Sequence, residues 1–292
     1  MTTAGRTVLV TGAGGQLGRA AAEAFQRVGW RVVALNRSRL DIVDRDVVHQ
    51  SMMAVHPDVV VNAAAWTAVD DCEADPDHAF AVNALGVRHL VESCRLVGAH
   101  LVHISTDYVF DGTLGRAYTE WDAPRPLSVY GRSKLAGEHE AGPEATIVRT
   151  AWLASAAGHN IVPRVLELAS DPDRDLAFVS DQRGSPTVAD DLAATVQRLA
   201  AERRSGLFHI TNEGSTSWYG LARHVLHVAG HDPDRVRAIA TADVRPRRPA
   251  PRPVNAALDD VALRLGGLPL LAPWEDAVAG LVRRLQSGAT IT

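Results

Sequence analysis

The chain has a single lysine. Lys134 stands alone among 30 lysines and arginines, so every other basic side chain is an arginine. Two cysteines, Cys72 and Cys94, are too few for a disulfide framework or a cysteine-built metal site. No apolar run approaches the roughly 18 residues that suggest a membrane span, and the opening MTTAGR lacks the charged-then-apolar pattern of a secretory leader. The sequence therefore reads as cytoplasmic. A net charge of −4, with one basic cluster at Arg245 to Pro253 (RPRRPAPRP), gives no electrostatic reason to expect nucleic acid or an anionic membrane as partner. Internal repeats and low-complexity tracts are also missing.

What is present is ordinary globular material, 46% hydrophobic and 22% charged over 292 residues, enough for one large α/β domain with an appendage or for two small domains. TVLVT is a short apolar run that ends in glycines, and QLGRAAAEAFQRV then carries helical spacing. RVVAL, DVVVNAAA, AHLVHIS and ATIVRT read as further strands, separated by helical segments. Continuous apolar strands alternating with helices predict an α/β, Rossmann-type, doubly wound parallel sheet covered on both faces. Such sheets bind ligands at the carboxyl ends of their strands. After Thr150 the elements shorten and prolines punctuate them. The expected division is a dinucleotide-binding domain over 1–150 and a smaller α/β substrate-binding C-terminal lobe over 151–292, partly interleaved with the first.

The first strand runs into TGAGGQLG, with Gly12, Gly15 and Gly18 each separated by two residues. Glycine permits a sharp turn and lets backbone approach a pyrophosphate, whose charge then meets the amides of the following helix. Position between a strand and a helix makes this a dinucleotide signal rather than an ordinary tight turn. After the second strand, Asn36, Arg37 and Ser38 stand where an acidic residue would favour NAD. Arg37 suits a 2′-phosphate, so NADPH is the expected reductant, with NADH still compatible.

The fourth strand ends in ISTDYVFDG, which puts Ser105 and Thr106 at a strand terminus. Tyr130 and Lys134 follow at i and i+4, one turn apart on one helix face. With only four tyrosines in 292 residues, a lone lysine seldom lands at this spacing by chance. A nearby ammonium favours a phenolate, which would bring tyrosine closer to the working range of an acid–base catalyst. The ammonium can also bond ribose hydroxyls that a flat guanidinium fits badly.

Together TGxxGxxG and YxxxK resemble the extended short-chain dehydrogenase/reductases. The fuller set GAGGQLG, DVVVNAAAWTAVD, HISTDYVFDG, VYGRSKLAGE, RTAW, DQRGSPT and RPAPRPVNAAL resembles the dTDP-4-dehydrorhamnose reductase family over nearly the full length. The resemblance implies a nucleotide-sugar 4-ketoreductase with Thr106, Tyr130 and Lys134 at the catalytic positions. Gly12, Gln16, Leu17, Asp41, Ile42, Ala63, Ala64, Ala65 and Thr67 match cofactor contacts, and Val69, Tyr108 and Trp152 match positions that touch the sugar. Trp66, Leu153 and Ala154 depart from the family's commoner residues. Arg19 and Ala20 stand where some members carry carboxylates for a metal-bridged dimer, so no metal is expected. A monomer or weak homodimer is expected in turn.

Related dehydratases resemble this pattern but carry Asp-Glu after the threonine; here Asp107 is followed by Tyr108. Half the elimination machinery is missing, which favours hydride delivery to a ketone. Asp107 itself is open between catalysis and a turn role. Arg248 and Arg252, set among prolines, either clamp the diphosphate of a nucleotide sugar or sit in a solvated loop. Trp218 reads as packing, and His224, His227 and His231 as ordinary surface or core histidines. A different nucleotide-linked ketosugar, or a cofactor-binding regulatory subunit on the same fold, stay as alternatives.

Overall fold

The structure, a computed structural model, describes residues 5–288. Its centre is a six-stranded parallel sheet. Strands β1 (Thr7–Thr11), β2 (Arg31–Leu35), β3 (Val59–Asn62), β4 (His100–Thr106) and β5 (Thr146–Thr150) are joined at the far edge by the strand Gly206–His209. The spatial order is Gly206–His209, β5, β4, β3, β1, β2. Strand order therefore reverses between β1 and β3, and that gap is where this architecture places a ligand.

Helices cover both faces, as continuous burial of β1, β3 and β5 requires. On one side α1 (Gln16–Arg27) and the helix Ala189–Ala201 bury Phe25, Leu192, Val196 and Leu199 against Val8, Val10 and Val61. On the other, α2 (Arg45–Val55) and the helix Gly86–Val97 pack Met52, Val87 and Leu90 on Leu9 and Val60. Asp44 caps α2 by accepting the amides of Asp46 and Val47, which stops the helix from starting earlier. A third core, built from Val165, Leu176, Leu221, Val225, Val278 and Leu281, belongs to the helices Ile161–Ala169, Trp218–Val228 and Trp274–Gln286 and their small sheet. The chain after Thr150 thus contributes both to that lobe and, through Ala189–Ala201 and Gly206–His209, to the central sheet.

The segment HAFAVNALGVRHLVESCRLVG, whose spacing reads as one continuous helix, is interrupted. A π-helical turn, Ala81–Leu85, separates Pro76–Phe80 from Gly86–Val97. It turns Asn83 inward, fully buried. The Asn83 Oδ1 accepts from Trp66 N at 2.8 Å, and its Nδ2 donates to Ser133 Oγ at 2.9 Å and to Trp66 O at 3.1 Å. One amide side chain therefore ties the loop after β3 to the helix Val129–Ala141.

That helix is also fastened from its other end. Glu138 receives two bonds from the Arg149 guanidinium, at 2.8 and 2.7 Å, and one from Ser105 Oγ at 2.5 Å, all three residues being buried. The guanidinium carbon lies 5.0 Å over the Phe110 ring. Removing one partner of such a pair leaves an uncompensated charge in the interior. Arg149→Met is expected to lower unfolding free energy by about 3–5 kcal/mol, measured by urea denaturation against the wild type. A loss below about 1 kcal/mol, the range of an exposed pair, would show that water reaches Glu138.

Candidate active site

Two adjoining cavities open along the carboxyl ends of the strands, of about 620 and 460 Å³. They share Gly14, Gly15, Ala63 and Ala65, so they form one groove across the switch point between β1 and β3.

The smaller cavity is lined by Gly12, Arg37, Asp41, Ile42 and Ala64 beside the shared residues. Gly12 has φ 64° and no room for a side chain: a Cβ there would lie 2.6 Å from the Ala63 and Ala64 backbone. The glycine turn is thus pressed against the end of β3. α1 begins at Gln16 with Gly15 as an N-cap that offers no side-chain bond, and its first turn holds no acidic residue. Its N-terminal amides and dipole are left for an anion. Arg37 is 72% exposed and only loosely paired with Asp41, at 3.4 Å. These residues fit a dinucleotide: a glycine cradle, an uncapped helix start for its pyrophosphate and an exposed, loosely paired guanidinium beyond the second strand.

The larger cavity takes Gln16, Leu17, Gly18, Thr67, Thr106, Tyr108, Tyr130, Lys134 and Trp152. The sequence motif is therefore assembled: threonine from the end of β4, tyrosine and lysine from the facing helix. Ser128 caps that helix through Gly131 N at 3.1 Å. Two glycines let the helix settle close, since a Cβ at Gly131 would meet the Tyr108 carbonyl and one at Gly137 the Asn83 carbonyl.

Lys134 is 2% exposed and donates to Ile104 O at 2.6 Å. Burial pulls its ammonium down to about 8, against the Glu138 carboxylate that holds it up. Tyr130 departs from the expectation. Burial pushes its phenol above the ordinary range, the bond with the Thr106 hydroxyl pulls it back, and the Asp107 charge adds to the rise. The tyrosine stands as a neutral hydroxyl, ready to donate rather than to accept. Asp107 is buried too, which lifts its carboxyl to about 7 while the Thr106 hydroxyl pulls it down.

Tyr108 turns its ring edge-on to Tyr130, with centroids 5.5 Å apart and planes at 73°. Burial raises its phenol to about 12, so it cannot replace a glutamate as base at neutral pH. Trp152 sits at φ 45°, in the left-handed region, at the end of β5. It stacks on Trp218 at 3.5 Å with an interplanar angle of 7°, and Trp218 reaches the same cavity wall, so its packing role also shapes the site.

Two expectations change, for Val69 and Arg252. Val69 packs on the cluster around Cys72 and Tyr130 and lines neither cavity. Arg252 is no free guanidinium for a diphosphate: Asp70 takes its two amino groups at 2.6 and 2.7 Å, and one of them also donates to Ala250 O at 2.7 Å. Arg248 is exposed and lines two further clefts, of about 970 Å³ each, beyond the main groove. Sequence reasoning missed the clasp in which Ser155 Oγ reaches Gln16 Oε1 at 3.0 Å, tying the loop after β5 to the glycine turn. No local signal marks it. His224 bonds Glu275 O at 2.9 Å, and among the described residues no cluster of His, Cys, Asp or Glu could hold a metal ion.

Fold and site together define a Rossmann-type reductase of the extended short-chain class. A family profile described as the RmlD substrate binding domain matches residues 6–287. A dTDP-4-dehydrorhamnose reductase of Streptomyces griseus is 45% identical over 279 residues, covering 92% of this chain and 91% of its own. A dTDP-4-keto-6-deoxy-D-glucose reductase of Streptomyces niveus is 39% identical, covering 92% of this chain and 94% of its own. A crystal structure of a dTDP-4-dehydrorhamnose reductase of Bacillus anthracis in complex with NADP superposes with a TM-score of 0.91 at 33% identity, covering 96% of this chain and 99% of that one. This chain belongs to the dTDP-4-dehydrorhamnose reductase family.

Gly184 makes the position of Trp152 testable, because its Cβ would enter the space of the indole. Gly184→Ala is expected to unstack Trp152 from Trp218 and destabilise the protein by about 1–3 kcal/mol. Near-ultraviolet circular dichroism reads the indole pair directly, and an unchanged signal would mean that the wall tolerates the methyl group.

Proposed function

We propose that this chain reduces the C4 ketone of a dTDP-4-keto-6-deoxyhexose with NADPH, converting dTDP-4-dehydro-L-rhamnose to dTDP-L-rhamnose. The observation that carries the reading is the meeting of Thr106, Tyr130 and Lys134 in one cavity beside the glycine turn. An intact site of this kind supports catalysis over a regulatory role. NADPH, when bound, supplies the hydride that goes to the sugar's C4.

Tyr130 donates its proton to the alkoxide oxygen that results. Burial keeps Tyr130 protonated, so the proton is in place when the alkoxide forms. Thr106 orients the carbonyl through its hydroxyl. Lys134 bonds the ribose hydroxyls of the nicotinamide half, with one of its three donors already committed to Ile104. Gly12, Gly15, Gln16, Leu17 and Gly18 hold the pyrophosphate, and Ala63, Ala64, Ala65 and Thr67 form the opposite wall. Arg37 takes the 2′-phosphate, while Asp41 and Ile42 border the adenosine. Trp152 and Tyr108 face the sugar. Arg248 reaches the diphosphate side from the exposed segment. No helix among the described residues is long and apolar enough to cross a membrane, and the cysteines Cys72 and Cys94 are free and buried. Both fit the cytoplasm as the place of work.

A second reading concerns the sugar. The Streptomyces niveus relative is named for dTDP-4-keto-6-deoxy-D-glucose, which differs before 3,5-epimerisation. Incubating the protein with NADPH and that ketosugar, with and without a 3,5-epimerase, and identifying the product by NMR separates the two. dTDP-L-rhamnose formed only with the epimerase is expected; no NADPH oxidation with either ketosugar would remove the reductase reading.

Lys134 is the place where an arginine should fail. The site is buried and closed around a compact ammonium, and a guanidinium differs in shape and donor pattern. Lys134→Arg is expected to lower kcat on the order of 10², the range for losing acid–base assistance. Near-full turnover would mean that the position asks only for positive charge.

A further inference from the structure

Four arginines, Arg245, Arg247, Arg248 and Arg252, fall within eight residues of a proline-rich stretch. The first three are exposed and stand along the outer clefts. Arg245 and Arg248 line both clefts, and one of these shares Gly158, His159 and Trp218 with the larger cavity. A continuous groove therefore leads from Tyr130 and Lys134 to these guanidiniums. The Arg247 and Arg248 side chains have no hydrogen bond or ion pair among the described residues, and Arg245 turns to two carbonyls of its own loop, Ala242 O and Val244 O.

Arg252 differs. Its side chain is 9% exposed, and Asp70 holds it together with the backbone two residues earlier. Asp70 Oδ1 accepts Arg252 Nη1 at 2.6 Å and Ala250 N at 3.0 Å, while Oδ2 accepts Arg252 Nη2 at 2.7 Å. Ala250 is buried. Among the described residues Asp70 is the one carboxylate bonded to residues 245–252. It lies in the first turn of the short helix Val69–Ala74, three residues after Thr67 of the larger cavity.

We propose that Asp70 is a positioning residue for the substrate: its latch on Ala250 and Arg252 sets the arginine strap so that Arg248 meets the diphosphate of the nucleotide sugar. The inference rests on the reductase reading above. Prolines carry the constraint from the latch to Arg248. Pro249 and Pro251 fix φ on either side of Ala250, and Arg248 and Ala250, each followed by a proline, are held to extended backbone. Fixing Ala250 N therefore fixes where the Arg248 side chain leaves the strap. Without the latch, four like charges within eight residues repel one another and drive the strap toward solvent. Arg248 is close enough for its charge to act on Asp70. The Arg252 bond holds the Asp70 carboxyl below the ordinary carboxylate range against burial, and the Ala250 amide and the Arg252 and Arg248 charges add to it. Asp70 thus stays ionised as the counter-charge of the strap.

The test is a double-mutant cycle between Asp70 and Arg248, read by calorimetric titration of dTDP into the NADPH-saturated protein and by steady-state kinetics with the ketosugar. Asp70→Asn and Arg248→Ala should each weaken dTDP binding by about tenfold, the scale of one charge-assisted contact. Asp70→Asn should raise KM for the ketosugar by a similar factor and leave kcat and the affinity for NADPH within about twofold. In the double variant the losses should not multiply: Arg248→Ala should cost less than about threefold once Asp70 is Asn. Should Asp70→Asn fold poorly, Arg252→Gln opens the same latch from the strap side and should show the same coupling to Arg248. Losses that multiply fully, or a dTDP affinity that either Asp70→Asn or Arg248→Ala leaves at the wild-type value, would overturn the positioning role alone. No NADPH oxidation by the wild type with either ketosugar would remove the reductase reading and this role with it.

Discussion

The close seat of the helix Val129–Ala141 is the constraint on which the site depends. Its backbone lies against the Tyr108 and Asn83 carbonyls at Gly131 and Gly137, where any side chain would collide. Only at that separation does Lys134 reach the Ile104 carbonyl near the end of β4. Two polar fastenings hold the seat, Asn83 at the π turn and Glu138 with Arg149 and Ser105. Both are buried, so each is stiff when complete and costly when broken. Catalytic geometry and fold stability are therefore written into the same few contacts.

The sheet's main plan was legible because it is local. An apolar strand, a glycine turn and an amphipathic helix follow one another within the first 27 residues, and each leaves its own period in the sequence. Tyr130 and Lys134 were legible for a similar reason, since one helical turn separates them. The return of Gly206–His209 to the edge of the central sheet was less so, as its short apolar run is silent about which sheet it joins. Side-chain pairings across long stretches were not legible. Arg252 meets Asp70 across 182 residues, and nothing near RPAPRP distinguishes a free guanidinium from a paired one. The π turn at Ala81–Leu85 is set by what Asn83 bonds in space, and helical periodicity alone predicts a continuous helix there.

Tyr108 stands where the dehydratases that this pattern resembles carry a glutamate. Burial raises its phenol to about 12, and the nearby Arg252 charge only partly offsets the rise. Arg252 is itself neutralised by Asp70, which also receives Ala250 N at 3.0 Å and so anchors the proline-rich segment over the site. The basic residue that the sequence offered to the substrate is thus spent on holding the wall, and Tyr108 keeps its proton.

Burial acts on four titratable groups of the cavity, Asp107, Tyr108, Tyr130 and Lys134, in the direction that removes charge. It raises Asp107, Tyr108 and Tyr130 and lowers Lys134. The outcomes differ. The two phenols move away from neutrality and stay protonated, while the carboxyl and the ammonium move toward it, to about 7 and about 8. A guanidinium could not have joined them, because its pKa lies too high for burial to bring it near neutrality. A buried amine at position 134 thus differs in kind from a buried guanidinium: burial brings the amine to about 8 and leaves the guanidinium charged.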